Sequence, residues 1–341
     1  MENIDFVVTW LDSNDSSWIE DYHKYKGNII SGDISEARYR NWDDLFRFWF
    51  RSVENYAPWV NKIYLVTNGK FPDWINPHHP KIVLVKHCDF IPERYLPTFN
   101  SCTIELNLGR IKGLSEHFVY FNDDCYLNQP IEPIYYFRNG LPCDNTEETF
   151  LTAAKYSSER SFDNYLHKIC DVGLLNCHFN RRKVVGESFS KWLNLHLSFK
   201  GLLVSIFLTV LKREEFEGFR GAHVEQPMLK SIFAEIWRDY EPLMNLSCSR
   251  FREDLSLNPY IIRYWQLAQN KFHPKKFSSK KVNLSLDNID IIKGSLKSKK
   301  FKSICLNDDI SGLSESDILT LKKTVIGFMQ EKFPLKSQYE L

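Results

Sequence analysis

Leu96-Pro97-Thr98-Phe99-Asn100-Ser101 opens a stretch that ends at Phe118-Val119-Tyr120-Phe121-Asn122-Asp123-Asp124, and its reading decides the fold. A helix from about Ser101 to Ile111 precedes a short apolar run, Phe118 to Phe121. Such a run suits a strand covered on both faces. Asn122-Asp123-Asp124 stands at its carboxyl end, where open α/β sheets bind their ligands. Adjacent aspartates leaving a strand can both turn toward one cation, with a nucleotide diphosphate supplying the remaining oxygens. The competing reading is a plain turn, since Asn and Asp are common turn residues.

Upstream, Ile4 to Trp10 (IDFVVTW) reads as a first buried strand, and Asp12 to Ser17 as the polar loop after it. Leu45, Phe48, Trp49, Val53 and Tyr56 follow helical spacing, with Asn41 or Asp43 as cap, and Tyr56-Ala57-Pro58-Trp59 ends that helix. Arg47 and Arg51, one turn apart, read as its exposed face, with Glu54 as partner to Arg51. Lys62 to Thr67 and Lys81 to Val85 are two more strands, separated by a turn-rich segment containing Asn68-Gly69. The order strand, helix, strand, strand, helix, strand predicts an α/β fold: a Rossmann-like, mostly parallel sheet with crossover helices. Neither glycine-rich phosphate-cradling pattern occurs, so a diphosphate must be held by side chains and metal.

Residues 130–219 read as an inserted region of loops and helices. Within it, Gly201 to Leu211 (GLLVSIFLTVL) is about half of what a membrane-spanning helix needs. It is expected to be a core helix, with interfacial membrane contact as the second reading. Gly221 to Pro227 leads into a helix over Met228 to Trp237, and polar residues gather again from Ser249 to Asp254. Lys275 to Lys302 is expected to be a solvated, lysine-rich connection. Ile304-Cys305-Leu306-Asn307-Asp308-Asp309 repeats the apolar-then-Asn-Asp-Asp form, and Ile318, Leu321, Val325, Phe328 and Met329 make a C-terminal amphipathic helix.

Composition narrows the partners. Lys plus Arg total 44 against 43 for Asp plus Glu in 341 residues, so no charge excess points to nucleic acid. The eight cysteines form no CxxC pair, which argues against a zinc cluster. The opening Met-Glu-Asn-Ile-Asp has no basic start or apolar targeting region, so a cytoplasmic location is expected, with the inner face of the cell membrane as a further possibility.

Four blocks together resemble the Stealth family of sugar-phosphate transferases: Ile4 to Asp12; Arg38-Tyr39-Arg40-Asn41 through Asn68-Gly69 and Leu96 to Asp124; His223 to Gln266; and Ile304 to Asp308. That family includes bacterial capsule and exopolysaccharide hexose-1-phosphate transferases and the animal GlcNAc-1-phosphotransferase. The resemblance implies transfer of a hexose-1-phosphate from a nucleotide diphosphate sugar, commonly a UDP-sugar, to a saccharide or lipid-linked saccharide hydroxyl. UMP and a phosphodiester are the implied products. It matches Glu105, Asp124, His223 and Arg252 to catalytic positions and Asp308 to an acidic position, with the register between Arg250 and Arg252 open. On this reading residues 1–129 form the nucleotide-sugar-binding half and 130–219 an insertion. Residues 220–310 carry the rest of the core, and 311–341 the C-terminal helix.

The chemistry wants these residue types. An acceptor oxygen approaching an anionic diphosphate makes charge neutralisation the main task. Mg²⁺ or Mn²⁺ held by Asp124 and Asp308, with Asp123 as alternate ligand, meets it. His223 and Glu105 compete as the general base for the acceptor hydroxyl. Arg38, Arg40 and Arg252 are the phosphate-binding candidates, because a guanidinium presents paired, permanently charged donors. Thr9, Trp10, Asp12 and Asn100 complete the expected substrate-binding set, with Trp10 read equally well as core.

Overall fold

The computed structural model describes residues 2–12, 15–27, 43–151, 159–221, 224–253, 255–307 and 313–341. In chain order its strands are β1 (Ile4–Thr9), β2 (Ile63–Thr67), β3 (Ile82–Lys86), β4 (His117–Asn122), β5 (Cys125–Leu127), β6 (Phe137–Arg138) and β7 (Leu141–Asp144). They continue with β8 (Gln226–Leu229), β9 (His273–Pro274), β10 (Ser279–Asn283) and β11 (Ser303–Asn307). The main sheet has the order β3-β2-β1-β4-β8. Its first four strands are parallel, and β8 lies antiparallel to β4. This is the Rossmann-like α/β fold that the strand pattern predicts. Two smaller sheets, β10-β11-β5 and β6-β7-β9, flank it.

The sheet forms where the sequence is apolar on both faces. Phe6, Val7, Val8, Phe118, Val119 and Phe121 are fully buried. The helix Asp43–Tyr56 lays its wide apolar face on them, and Trp49 meets the Phe121 ring edge-on at 5.4 Å. Asp5, buried at the amino end of β1, accepts from Asn61 and the Lys62 and Ser115 amides, so one carboxylate aligns the starts of β1, β2 and β4. The helix before β4 is shorter than expected: Ser101–Leu106, then a 3-10 turn, Leu108–Arg110. Gly109 lies in that turn because a Cβ there would come within 2.4 Å of Phe233, on the helix Lys230–Asp239.

Five local expectations are corrected by packing. The segment after β1 is not loop to Ser17, because Asp15 caps a helix, Ser16–Lys26, through the Ser17 amide. Arg51 does not face solvent beside Glu54. It is 8% exposed and grips Glu340 with two hydrogen bonds of 2.8 and 2.9 Å, while Arg47 stacks over Trp74. Met228 and Leu229 begin no helix, since they finish β8 before Lys230. Lys275 to Lys302 is not a solvated connection: it holds β10, the helix Ile289–Lys297 and the buried Val282, Ile292 and Leu296. Finally, the apolar Gly201–Leu211 run is not a core helix. In the helix Phe199–Val210 only Gly201, Ser205 and Leu208 are fully buried, and Leu203, Ile206, Phe207 and Val210 are exposed.

The C-terminal helix, Glu315–Lys332, buries Ile318, Leu321, Val325 and Met329 as its spacing predicts. Among the described residues no helix is long and apolar enough to cross a membrane.

Candidate active site

In the main sheet the chain leaves β1 toward β2 on one side, while β4 enters on the other. The crevice outside the carboxyl ends of β1 and β4 is therefore the topological switch point of the fold. Thr9 ends β1 and sits in register with Asn122, which ends β4. The Thr9 hydroxyl lies 3.1 Å from the Tyr120 hydroxyl, which donates to Asn122 Oδ1 at 2.7 Å. A phenol has one hydrogen to give, so Thr9 donates to Tyr120. Burial, followed by the negative charge of Glu105, pushes the Tyr120 hydroxyl well above the usual phenol range and keeps it a donor. The chain of hydroxyls thus fixes which way the Asn122 amide faces.

Asp123 and Asp124 form the turn between β4 and β5, with Asp123 exposed and Asp124 partly buried. What distinguishes Asp124 is a pair of thiols. Cys125 donates to its Oδ1 at 3.2 Å and Cys305 to its Oδ2 at 3.1 Å. Cys125 and Cys305 face each other directly in the antiparallel β5–β11 pair, and the Leu306 amide donates to the Asp124 carbonyl at 2.9 Å. Contact with Cys305, burial and the Asp124 charge hold the Cys125 thiol well above its ordinary range. The Cys305 thiol, although its bond with Cys125 pulls the other way, is raised by burial and by Asp124. Both sulfurs therefore serve as protonated donors to the carboxylate.

With both thiols protonated and donating, the oxygens that would suit a hard divalent cation here are those of Asp124, with Asp123 beside it in the turn. Ligand atoms of Asp124, Cys125 and Cys305 all lie within 4.8 Å of one another. The end of β11 runs against this turn, and Asp308 follows Asn307 in the sequence but lies outside the described residues, as do His223, Arg38 and Arg40.

Glu105 sits half-buried on the helix Ser101–Leu106. Its charge acts on Tyr120, on Cys102 and on Tyr260, which places it on the β4 side of the crevice. Asn100 caps this helix through the Cys102 amide at 3.0 Å and reaches Ser249 Oγ at 3.3 Å, so it joins the helix to the Ser249–Arg252 segment. The two arginines there do different things. Arg250 donates to the carbonyls of Pro97 and Leu96 at 3.0 and 2.8 Å and stacks over Tyr25. Arg252 instead reaches Ser101 Oγ at 3.0 Å beside Cys102, whose thiol burial raises to about 11 against the opposing pull of Arg252. Of the two guanidiniums, that of Arg252 is the one hydrogen-bonded to the helix that carries Glu105.

The expected nucleotide contacts divide. Trp10 is 7% exposed and stacks on Phe46 with centroids 5.9 Å apart, so that ring face is part of the core. Asp12 pairs with Lys70 at 2.7 Å at the mouth of the β1 loop. The structure also adds residues that sequence reading passed over: Tyr120, Tyr260, the thiols of Cys125 and Cys305, and Glu225. Glu225 is buried, accepts from the Ser303 hydroxyl and precedes β8; burial raises its carboxyl despite Lys275 and Ser303. One sequence signal was available for the thiols, a cysteine close to each Asn-Asp-Asp motif.

Comparison with known proteins sets this geometry in a family. Residues 38–144 match the model of Stealth protein CR2, conserved region 2. The chain is 38% identical to a capsular polysaccharide phosphotransferase of Streptococcus pneumoniae, over 100% of this chain and 98% of that protein. It is 36% identical to a receptor polysaccharide phosphotransferase of Streptococcus gordonii over 100% of both chains. An exopolysaccharide phosphotransferase of Lactiplantibacillus plantarum is 33% identical over 99% of this chain and 96% of its own. Among solved structures, the galactosyltransferase LgtC in complex with donor and acceptor sugar analogs aligns with a TM-score of 0.41 at 8% identity, covering 96% of this chain and 95% of that one. With the conserved region matched and relatives alike along their full lengths, this chain belongs to the Stealth family of polysaccharide phosphotransferases.

Proposed function

We propose that this enzyme transfers hexose-1-phosphate from a UDP-sugar to a hydroxyl of a saccharide or lipid-linked saccharide, building a phosphodiester into capsular or exopolysaccharide. In that reaction the acceptor oxygen bonds to the sugar-linked phosphorus, and the bond from that phosphorus to the bridging oxygen of UMP breaks. The hydroxyl proton leaves to a base, and the sugar's anomeric bond survives. The observation that carries the reading is the placement of Asn122, Asp123 and Asp124 at the carboxyl end of β4, with the charge of Glu105 acting on Tyr120 of that strand and Arg252 held at Ser101 on the helix that carries Glu105.

Each residue has a role its chemistry suits. Glu105, on a rigid helix, accepts the acceptor proton in this reading, and His223 is the competing base. Arg252 offers a planar, permanent positive fork to the phosphate leaving or arriving beside Ser101. Asp124, Asp123 and Asp308 would hold Mg²⁺ or Mn²⁺, which when bound neutralises charge on the diphosphate. The thiols of Cys125 and Cys305 keep the Asp124 carboxylate turned to that task. Thr9 and Tyr120 hold Asn122 in place at the crevice.

Phosphorus NMR of the reaction products is the test. UMP together with a phosphodiester resonance is the expected result. UDP with a neutral glycoside would replace this reading with that of an ordinary glycosyltransferase, and binding of polysaccharide without turnover would replace it with a binding module.

A further inference from the structure

The helix Phe199–Val210 is built inside out. Its fully buried positions are mostly small: Gly201, where a Cβ would lie 2.5 Å from the Glu147 side chain, and Ser205, which is 1% exposed, with Leu208 the one large buried residue and Leu202 and Val204 half-buried. Its outward positions carry the bulk. Phe199 is 80% exposed, Leu203 50%, Phe207 53% and Val210 73%. These recur at helical spacing, and Ile206 and Leu211 widen the stripe. A contiguous apolar surface of this kind marks a contact site rather than ordinary exposure.

The helix Phe199–Val210 carries a single charge, Lys200, and Lys212 follows its end; beyond it Arg213 pairs with Glu217 at 2.9 Å, and Glu214 and Glu215 come next in the chain. Lys200 and Lys212 are exposed and bracket the stripe at its two ends. A helix with large exposed apolar side chains on one face and an exposed lysine at each end suits an anionic lipid surface, where the side chains enter the acyl boundary and the lysines meet headgroups. We propose that this helix docks the protein on the surface of an anionic bilayer. It lies flat and does not span. Glu147 fastens it to the body by accepting from Ser198 at 2.8 Å and pairing with Arg220 at 3.3 Å, on the segment that leads into β8. The inference stands on the helix alone and holds whichever sugar donor the enzyme takes.

Cosedimentation of the full chain with phosphatidylcholine vesicles, with and without phosphatidylglycerol, tests it. The expected result is binding that requires the anionic lipid. Phe199→Ser with Phe207→Ser should weaken binding at least about tenfold, and Lys200→Glu with Lys212→Glu should abolish the preference for anionic vesicles. Phe199→Ser alone, at the most exposed helical position, covers the case in which the double variant fails to fold. Turnover with a water-soluble acceptor should be unchanged in these variants, which separates docking from the reading of the active site. Failure of the wild type to bind anionic vesicles would overturn the proposal. So would undiminished binding by correctly folded variants, or a dimer in sedimentation analysis that Phe199→Ser dissociates.

Discussion

Cys305 Sγ lies 3.1 Å from Asp124 Oδ2, delivered there by a strand that begins far along the chain from the Asp-Asp turn. Together with Cys125 it clamps one carboxylate from two sides. If the thiols act by orienting Asp124, Cys305→Ser should preserve most activity because a hydroxyl can donate in its place. Cys305→Ala should lower kcat about tenfold, roughly the worth of one hydrogen bond to a charged group. The measurement is steady-state kinetics on both variants with matched melting temperatures; equal loss in both would remove the orienting role.

Asp124→Asn should reduce turnover on the order of 10³-fold or more, since it takes away a carboxylate that would hold the cation neutralising the diphosphate. Asp123→Asn should cost clearly less. Chelation of the wild type should stop turnover, with recovery on adding Mg²⁺ or Mn²⁺. Metal-independent activity would remove the cation from the reading.

Glu105→Gln and His223→Ala separate the two candidate bases. General-base catalysis is worth about 10²- to 10⁴-fold. The true base should lose that much in kcat, along with the acidic limb of the pH–rate profile, while donor KM stays nearly constant. A variant that instead raises KM at constant kcat marks a substrate-holding residue.

His87, just after β3, is 8% exposed, and burial drives its imidazole down to about 4. Between about 6.5 and that value the unfolded chain binds a proton at this residue that the folded chain refuses. Stability should therefore fall as pH drops through this window, by roughly 2–4 kcal/mol from this group. Urea titrations at pH 7 and pH 4.5 should show a smaller difference for His87→Gln than for the wild type.

How far the sequence reaches is clearest in particular elements. β1, β2, β3 and β4 are legible because each carries an unbroken apolar run, Phe6–Val8, Ile63–Val66, Ile82–Val85 and Phe118–Phe121. The helix Asp43–Tyr56 is legible from its spacing. The buried role of Arg51 is not, because its partner Glu340 comes from the far end of the chain and no local pattern announces it. The helix Phe199–Val210 misleads for a related reason: apolar periodicity shows that a face wants cover, but not whether the protein supplies it.

By itself the sequence determined the first four strands of the main sheet and the family, and it nominated the residue types of the candidate active site, because these follow from local apolar patterning and from short motifs. Tertiary structure alone decided which of two neighbouring arginines, Arg250 or Arg252, bonds to the helix that carries Glu105, and that Asp124 is clamped by two thiols. Those choices depend on contacts between segments more than a hundred residues apart. A linear pattern cannot encode them, because the free energy of such a contact exists only after the intervening chain has been folded into place.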